Sequence, residues 1–219
     1  MSSRNIRDEI ARDVKPTRPL PPPSRRALAL VPIAAAIVVG VPALHAFRPD
    51  LTTIGLLRAW GFSIGQTVAG LTIVAVALRE SIPGRSVKSA TLTALLIVGI
   101  ALPAAVLLLT TSSFSVGPPP GRAFREGWVC FRVSAVAAVP ALLLAGVLAA
   151  RALPLRPGAA GALYGLGSGL TADSGLRLYC DYSTPTHVVF AHIGAVAATA
   201  ILGAALAWGV ERVRDGRRE

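Results

Sequence analysis

The stretch Ala90–Thr111 reads ATLTALLIVGIALPAAVLLLTT and contains no charged side chain. As an α-helix it would be about 33 Å long, enough to cross the roughly 30 Å hydrocarbon core of a bilayer. A helix on the surface of a soluble protein carries a charged or polar face, and this stretch has none. It therefore predicts a membrane-spanning helix.

Five more stretches of similar length and apolar character lie on either side of it. They are Ala27–Phe47, Leu57–Leu78, Phe131–Ala150, Gly158–Leu178 and Val188–Val210. Over all 219 residues, 53% are hydrophobic and only 15% are charged, too few charges to cover a soluble domain of this size. We therefore predict an all-α fold, a polytopic membrane bundle of six transmembrane helices in residues 27–210.

The basic residues are concentrated in alternate segments between these stretches. If the N-terminus is cytoplasmic, sixteen of the 22 Lys and Arg residues fall in inner segments and six in outer ones. This bias follows the positive-inside rule and predicts that both termini are cytoplasmic. It also accounts for the net charge of +11 without a nucleic-acid-binding face, so we expect the lipid bilayer, and not nucleic acid, as a direct partner.

Residues 1–26 are predicted to form a cytoplasmic N-terminal segment. Ile6, Ile10 and Val14 recur at i, i+4 and i+8, the spacing of a short amphipathic helix, and a proline-rich spacer follows. The apolar stripe could dock in a groove of a partner or lie on the membrane surface. A cleaved signal peptide fits poorly because 26 polar, proline-rich residues precede the first apolar stretch. Residues 211–219 form a basic cytoplasmic tail.

Both cysteines and all three histidines fall at predicted outer helix ends. Cys130 opens the fourth predicted helix, Cys180 closes the fifth, and His187 and His192 begin the sixth. Three roles for the cysteines remain open: a structural disulfide, two inert apolar side chains, or a sensor attacked by oxidants or soft metals. Cys130, Cys180 and His192 are the candidate ligands of such a metal, whose identity is unknown.

A catalytic zinc site fits the pattern poorly. Cys180, His187 and His192 match no common zinc spacing, and two histidines five residues apart do not share a face of an α-helix. No hydrolase, kinase or dinucleotide motif is present in its required context, so we expect no enzymatic activity and no cofactor beyond a regulatory heavy metal.

Small residues line one side of the fifth predicted helix. Gly161, Gly165 and Gly169 stand four residues apart, a spacing that lets helices approach closely. Asp173 and Arg177 continue this row, and we interpret them first as a local ion pair near the outer surface. The alternative is an ion path, or a relay from Cys180 to the glycine face.

Several motifs spread over nearly the whole chain resemble the NrsF family, the negative regulators of sigma F. They are Lys15-Pro16-x-x-Pro19-Leu20, Phe47–Leu51, Leu78-Arg79 with Ile82–Arg85, Gly127-x-x-Cys130 with Pro140 and Leu153–Pro157, and Tyr179–Asp181 through Pro185 to His192-x-Gly194. The resemblance differs at Tyr179, where the family often has His, and at Ala191, where it often has Trp.

The resemblance implies a bacterial inner-membrane anti-sigma factor. Its partner would be an extracytoplasmic-function sigma factor, held by the N-terminal segment through Ile6, Ile10, Asp13 and Val14. Stress registered by Cys130 and Cys180, with His187 and His192, would release the partner. A small transporter or channel is the alternative, suggested by Asp173 and Gln66, and a structural assembly subunit is a third. The particular sigma factor, the inducing signal, the resting disulfide state and the oligomeric state are left open by the sequence.

Overall fold

A computed structural model of the chain describes residues 20–82, 87–110, 117–119, 121–150 and 156–216. The predicted N-terminal helix, with Ile6, Ile10, Asp13 and Val14, lies outside these residues. Within them, every regular element is a helix, which confirms the predicted all-α class.

The helices follow one another with short connections. In chain order they are α1 (Pro23–Leu28), α2 (Val31–His45), α3 (Leu51–Ile54), α4 (Leu56–Glu80), α5 (Ser89–Thr110), α6 (Ala123–Ala149), α7 (Pro157–Leu176), α8 (Pro185–His187), a π-helix (Val188–Ile193) and α9 (Gly194–Asp215).

Five segments of the described chain are long and apolar enough to cross a membrane, by length and composition. They are Pro23–His45, Leu56–Glu80, Ser89–Val106, Ala123–Ala149 and Pro185–Arg214. The predicted fifth span corresponds to α7, which is not among them, so a six-span topology stays a prediction.

The first and fourth predicted helices have different boundaries in the structure. The first is broken between Leu28 and Val31, because Pro32 has no N–H to donate to the carbonyl four residues earlier. The fourth begins at Ala123, eight residues before the predicted start at Phe131, because the polar first turns of α6 precede its apolar part. Cys130 therefore lies inside α6 and does not open it.

Helix α7 occupies the centre of the bundle. It packs against α2, α4, α5, α6 and α9, and every residue from Leu163 to Leu178 is buried. A helix surrounded by other helices has no need of a lipid-facing apolar surface, which explains how α7 can be rich in Gly and Ser. Its Gly and Ser residues lower its hydropathy, so α7 is not among the five apolar segments above although it is the most enclosed element described.

The polar contacts divide between two opposite ends of the bundle. At one end, the Arg48 amide donates to the Leu178 carbonyl at 3.0 Å, and Arg177 donates to the carbonyl of Pro103. At the other, Arg26 donates to the Leu148 carbonyl and Arg214 donates to that of Ala150 at 2.8 Å. The first and last described helices therefore begin and end at the same end of the bundle. The predicted topology requires this arrangement.

A buried carboxylate marks the end of the bundle where the first described helix begins and the last one ends. Glu80, 1% exposed, accepts hydrogen bonds from the Arg156 guanidinium at 2.8 Å and from the Val87 amide at 2.6 Å. Arg156 also donates to the Ser89 hydroxyl at 2.7 Å. These hydrogen bonds connect the end of α4 to the starts of α5 and α7.

Candidate functional site

The two cysteines meet at the end of the bundle opposite Glu80. Cys130 lies in the second turn of α6, and Cys180 follows the turn that ends α7. Their sulfur atoms are 3.6 Å apart and unbonded, and the residues are 3% and 5% exposed. The structure thus brings together two thiols that are 50 residues apart in the chain.

His187 completes a three-residue cluster with the two thiols. Its Nε2 atom lies 3.2 Å from the Cys180 sulfur, and the ligand atoms of all three residues are within 4.8 Å of one another. The other ring nitrogen, Nδ1, is buried and has no hydrogen-bond partner among the described residues. We call Cys130, Cys180 and His187 the thiol cluster.

The dimensions of the thiol cluster suit a soft metal ion. Two sulfurs bound at about 2.3 Å to one tetrahedral ion lie roughly 3.8 Å apart, close to the separation seen here. Thiolate and imidazole ligands together favour Zn²⁺-like and softer ions. The predicted metal ligands included His192, but the structure places His187 with the two sulfurs and gives His192 a different set of contacts.

Three polar groups surround Asp173, which is fully buried. Its carboxylate is 2.6 Å from Nδ1 of His192 and 2.7 Å from the Gln66 amide nitrogen that donates to it. It also forms an ion pair with Arg177 at 3.3 Å. The predicted Asp173–Arg177 pair is therefore present, but in the interior and with two further partners. We call these four residues the carboxylate network.

The two histidines approach each other in a way that α-helical geometry does not predict. Their ring centroids are 5.8 Å apart in an edge-to-face arrangement. The segment Val188–Ile193 that carries His192 is a π-helix with i→i+5 hydrogen bonds, for example from Gly194 N–H to the Val189 carbonyl. The expectation that His187 and His192 face apart was wrong because it assumed α-helical winding.

Hydrogen bonds tune the Cys180 thiol. Bonds from Cys130, then from His187 and His192, lower the pKa of Cys180 well below its ordinary value of 9.0, and they outweigh burial, which raises it. Since the thiolate is the form that attacks oxidants and binds metals, this environment favours reactivity. Cys180 also packs in one buried cluster with Ala191, the residue before His192, so the thiol cluster and the carboxylate network lie next to each other.

Aromatic rings surround this end of the bundle. Trp128, Phe131 and Phe190 stack on one another, with centroids 5.3–6.3 Å apart. Trp128 is 43% exposed, as is common for the aromatic rings that lie at a membrane–water interface. The thiol cluster therefore lies at the depth where we expect one surface of the bilayer.

The predicted glycine row forms a close contact between α7 and α9. A Cβ on Gly165 would overlap the Thr199 carbonyl oxygen, and one on Gly161 would overlap that of Gly203. A Cβ on Gly169 would overlap the Thr199 hydroxyl. All three glycines face α9, so α7 and α9 touch backbone to backbone.

Some partners of the site were not predicted. Gln66 was singled out only as a residue that suggests a transporter, and its bond to Asp173 joins residues 107 positions apart. Val189 and Phe190 carried no sequence signal for a π-helix. The Glu80–Arg156 pair was also missed, although two opposite charges at neighbouring predicted inner helix ends were a usable signal.

The fold and the site together define a helical protein of membrane type with a buried dithiol–histidine cluster at one end. A family model described as NrsF, negative regulator of sigma F, matches residues 10–212. This chain therefore belongs to the NrsF family, and it is a negative regulator of a sigma factor by that membership. No curated protein and no solved structure matches it.

Proposed function

We propose that this chain holds an extracytoplasmic-function sigma factor at the cytoplasmic face of the bacterial inner membrane and releases it when the thiol cluster is modified. Family membership supports the anti-sigma role. The observation that supports sensing is the pair of buried thiols in contact, with His187 at 3.2 Å from one of them. A regulatory family of this kind also favours a protein without enzymatic activity.

Two modifications of the cluster are chemically balanced. With hydrogen peroxide as oxidant, each thiol loses a proton and an electron, the S–S bond forms, the O–O bond breaks and two waters leave. With a soft divalent cation, both thiols release their protons to water, and two thiolates and the His187 imidazole bind the ion. Both remove the thiol protons and add a new bond to the Cys180 sulfur, so its contacts with neighbouring groups must change.

The partner-binding part of the proposal concerns Ile6, Ile10 and Val14. The full chain should co-purify a sigma factor from membranes, and replacing all three residues with Asp should reduce the bound amount at least tenfold. A matched control places three Asp substitutions at Ser2, Ser3 and Asn5 of the same segment, outside the apolar stripe, and should leave binding intact. Absence of any sigma factor on the full chain would remove the anti-sigma role.

The sensing part predicts that substitutions of the cysteines and of His187 affect the responses to peroxide and to Cd²⁺ differently. Cys130→Ser or Cys180→Ser should abolish release of the sigma factor by both peroxide and Cd²⁺. His187→Ala should abolish the Cd²⁺ response and retain the peroxide response, because a disulfide needs only the two sulfurs. Release is read as sigma-dependent transcription and as loss of co-purified sigma factor.

Two results would contradict the sensing part. A normal response to both agents in Cys130→Ser with Cys180→Ser would exclude the thiols as the sensor. Equal loss of both responses in His187→Ala, with the protein present in normal amounts, would show that the imidazole is not acting as a separate metal ligand.

The transporter alternative receives no specific support. Asp173 and Gln66, which suggested it, donate and accept hydrogen bonds with each other and with neighbouring helices. They serve the bundle as a buried network, and the proposed function uses them in that way.

A further inference from the structure

The π-helix Val188–Ile193 joins the thiol cluster to the centre of the bundle. Cys130 and Cys180 pack in one buried cluster with Ala191 of this segment. Nδ1 of the next residue, His192, is 2.6 Å from the carboxylate of Asp173, and Asp173 belongs to the central helix α7. A change at the Cys180 sulfur therefore alters one of the two contacts that hold this segment in place.

The His192 ring belongs to a π-helix. A π-helix is rarer than an α-helix, and such segments are found frequently at functional sites. Here it spans six residues and leads directly into α9 without a turn. Because a π-helical turn holds one residue more than an α-helical turn, rewinding this segment as α-helix would shift the backbone on one side of it.

The start of α9, which follows the π-helix, is packed too closely on α7 to move gradually. Thr199 lies two turns beyond the π-helix, and its carbonyl leaves no room for a Cβ on Gly165. Backbone contacts of this kind permit only small displacements before the two helices must separate, because packed interfaces are not continuously deformable. A shift at His192 is thus expected to reach the far end of α9, next to Ala150 and the Glu80 end of the bundle.

We infer that Asp173 is a positioning residue for signal transmission: through His192 it holds the π-helix Val188–Ile193 in the arrangement that keeps α9 packed on α7, and a change in the packing of Cys180 on Ala191 lets that segment relax. This inference rests on the proposed function and specifies how modification of the same site reaches α9. The sigma factor is retained while both contacts of the π-helix are made.

Weakening the Asp173–His192 contact should make release of the sigma factor more sensitive to peroxide. Asp173→Asn keeps the shape of the side chain but removes its charge, which weakens the hold on His192. In membranes that contain the full chain and its sigma factor, half-maximal release should occur at a peroxide dose at least fivefold lower than in the wild type. A coupling free energy of ordinary size corresponds to roughly 5–150-fold. The rate at which the two thiols form a disulfide should stay as in the wild type.

The control is Asp50→Asn, an identical change at the same end of the bundle. Asp50 pairs with Arg48 at 2.5 Å and has no contact with His192 in the described network. Its dose response should match the wild type. An Asp173→Asn protein present in normal amounts with an unchanged dose response would overturn the inference.

A second variant tests the π-helix if Asp173→Asn is not inserted in the membrane. Deleting Val189, which is 60% exposed, removes the extra residue of the π-helix without changing the register of α9. The sigma factor should then be released without peroxide while both thiols remain reduced. Retention of the wild-type response by this variant would also overturn the inference.

Failure of the proposed function gives a different pattern. In that case the wild-type chain itself would hold no sigma factor or would show no peroxide response. A responsive wild type combined with variants that respond as the wild type does would instead contradict the transmission step alone.

Discussion

Gly165→Ala should destabilise the protein by about 3 kcal/mol or more, the upper range for forcing an extra methyl group into a packed interior. The new Cβ would overlap the Thr199 carbonyl oxygen and the backbone of Ala200, and backbone atoms cannot move aside as a flexible side chain can. The expected result is separation of α7 from α9. Equilibrium unfolding of the purified protein in detergent, titrated with dodecyl sulfate, measures this loss.

Gly158→Ala provides a control on the same helix. Gly158 lies near the start of α7, and a Cβ there would meet no atom within 4 Å. Because Ala is the better helix former by up to about 1 kcal/mol, stability should be unchanged or slightly raised. Equal effects of the two substitutions would contradict the account of a glycine-dependent α7–α9 contact.

Arg156→Met should destabilise the protein by about 3 kcal/mol. The substitution removes the cation that pairs with Glu80 at 2.7 Å, while the carboxylate remains buried with the Val87 amide as its other partner. Breaking a buried pair on one side typically costs 3–5 kcal/mol, and the lower end applies because the Arg156 side chain is 33% exposed. The same unfolding titration measures the effect.

Two further variants test whether the loss of stability is specific to the Glu80–Arg156 pair. Arg214→Met removes a partly exposed Arg that donates a solvent-exposed hydrogen bond to the Ala150 carbonyl at the same end, and should change stability by less than about 0.5 kcal/mol. Glu80→Gln combined with Arg156→Met should cost less than the two single changes together, because residues in contact are not additive. Additive losses would show that Glu80 and Arg156 act independently.

Helix positions were predictable wherever the apolar run was long and sharply bounded. Ala90–Thr111 was predicted and Ser89–Thr110 is observed, since both ends of this run meet polar residues. The start of α6 was not predictable in the same way. Residues 123–129 combine two charged and two aromatic side chains with Ala, Gly and Val, so hydropathy alone assigns them to a loop although they belong to the helix.

The site was predictable in its residue types and not in its partners. Cys130 and Cys180 were assigned to the same face by topology, and the structure places their sulfurs in contact. His187 replaced His192 beside them because the choice depends on a π-helical turn, which a periodicity of 3.6 residues cannot anticipate. The Gln66–Asp173 bond depends on how α4 packs against α7, and a single sequence carries no information on that packing.

The account depends most on the thiol cluster and the sigma-binding segment being on opposite sides of the membrane. The native sulfurs are too buried to report this, so reporter cysteines are needed at exposed positions of a Cys130→Ser, Cys180→Ser chain. Thr186→Cys lies at the thiol-cluster end and Lys88→Cys at the Glu80 end. In intact spheroplasts, a membrane-impermeant maleimide should label the first and leave the second unlabelled until the membrane is opened. Labelling of Lys88→Cys but not Thr186→Cys in intact spheroplasts would contradict a sensor outside and a partner inside.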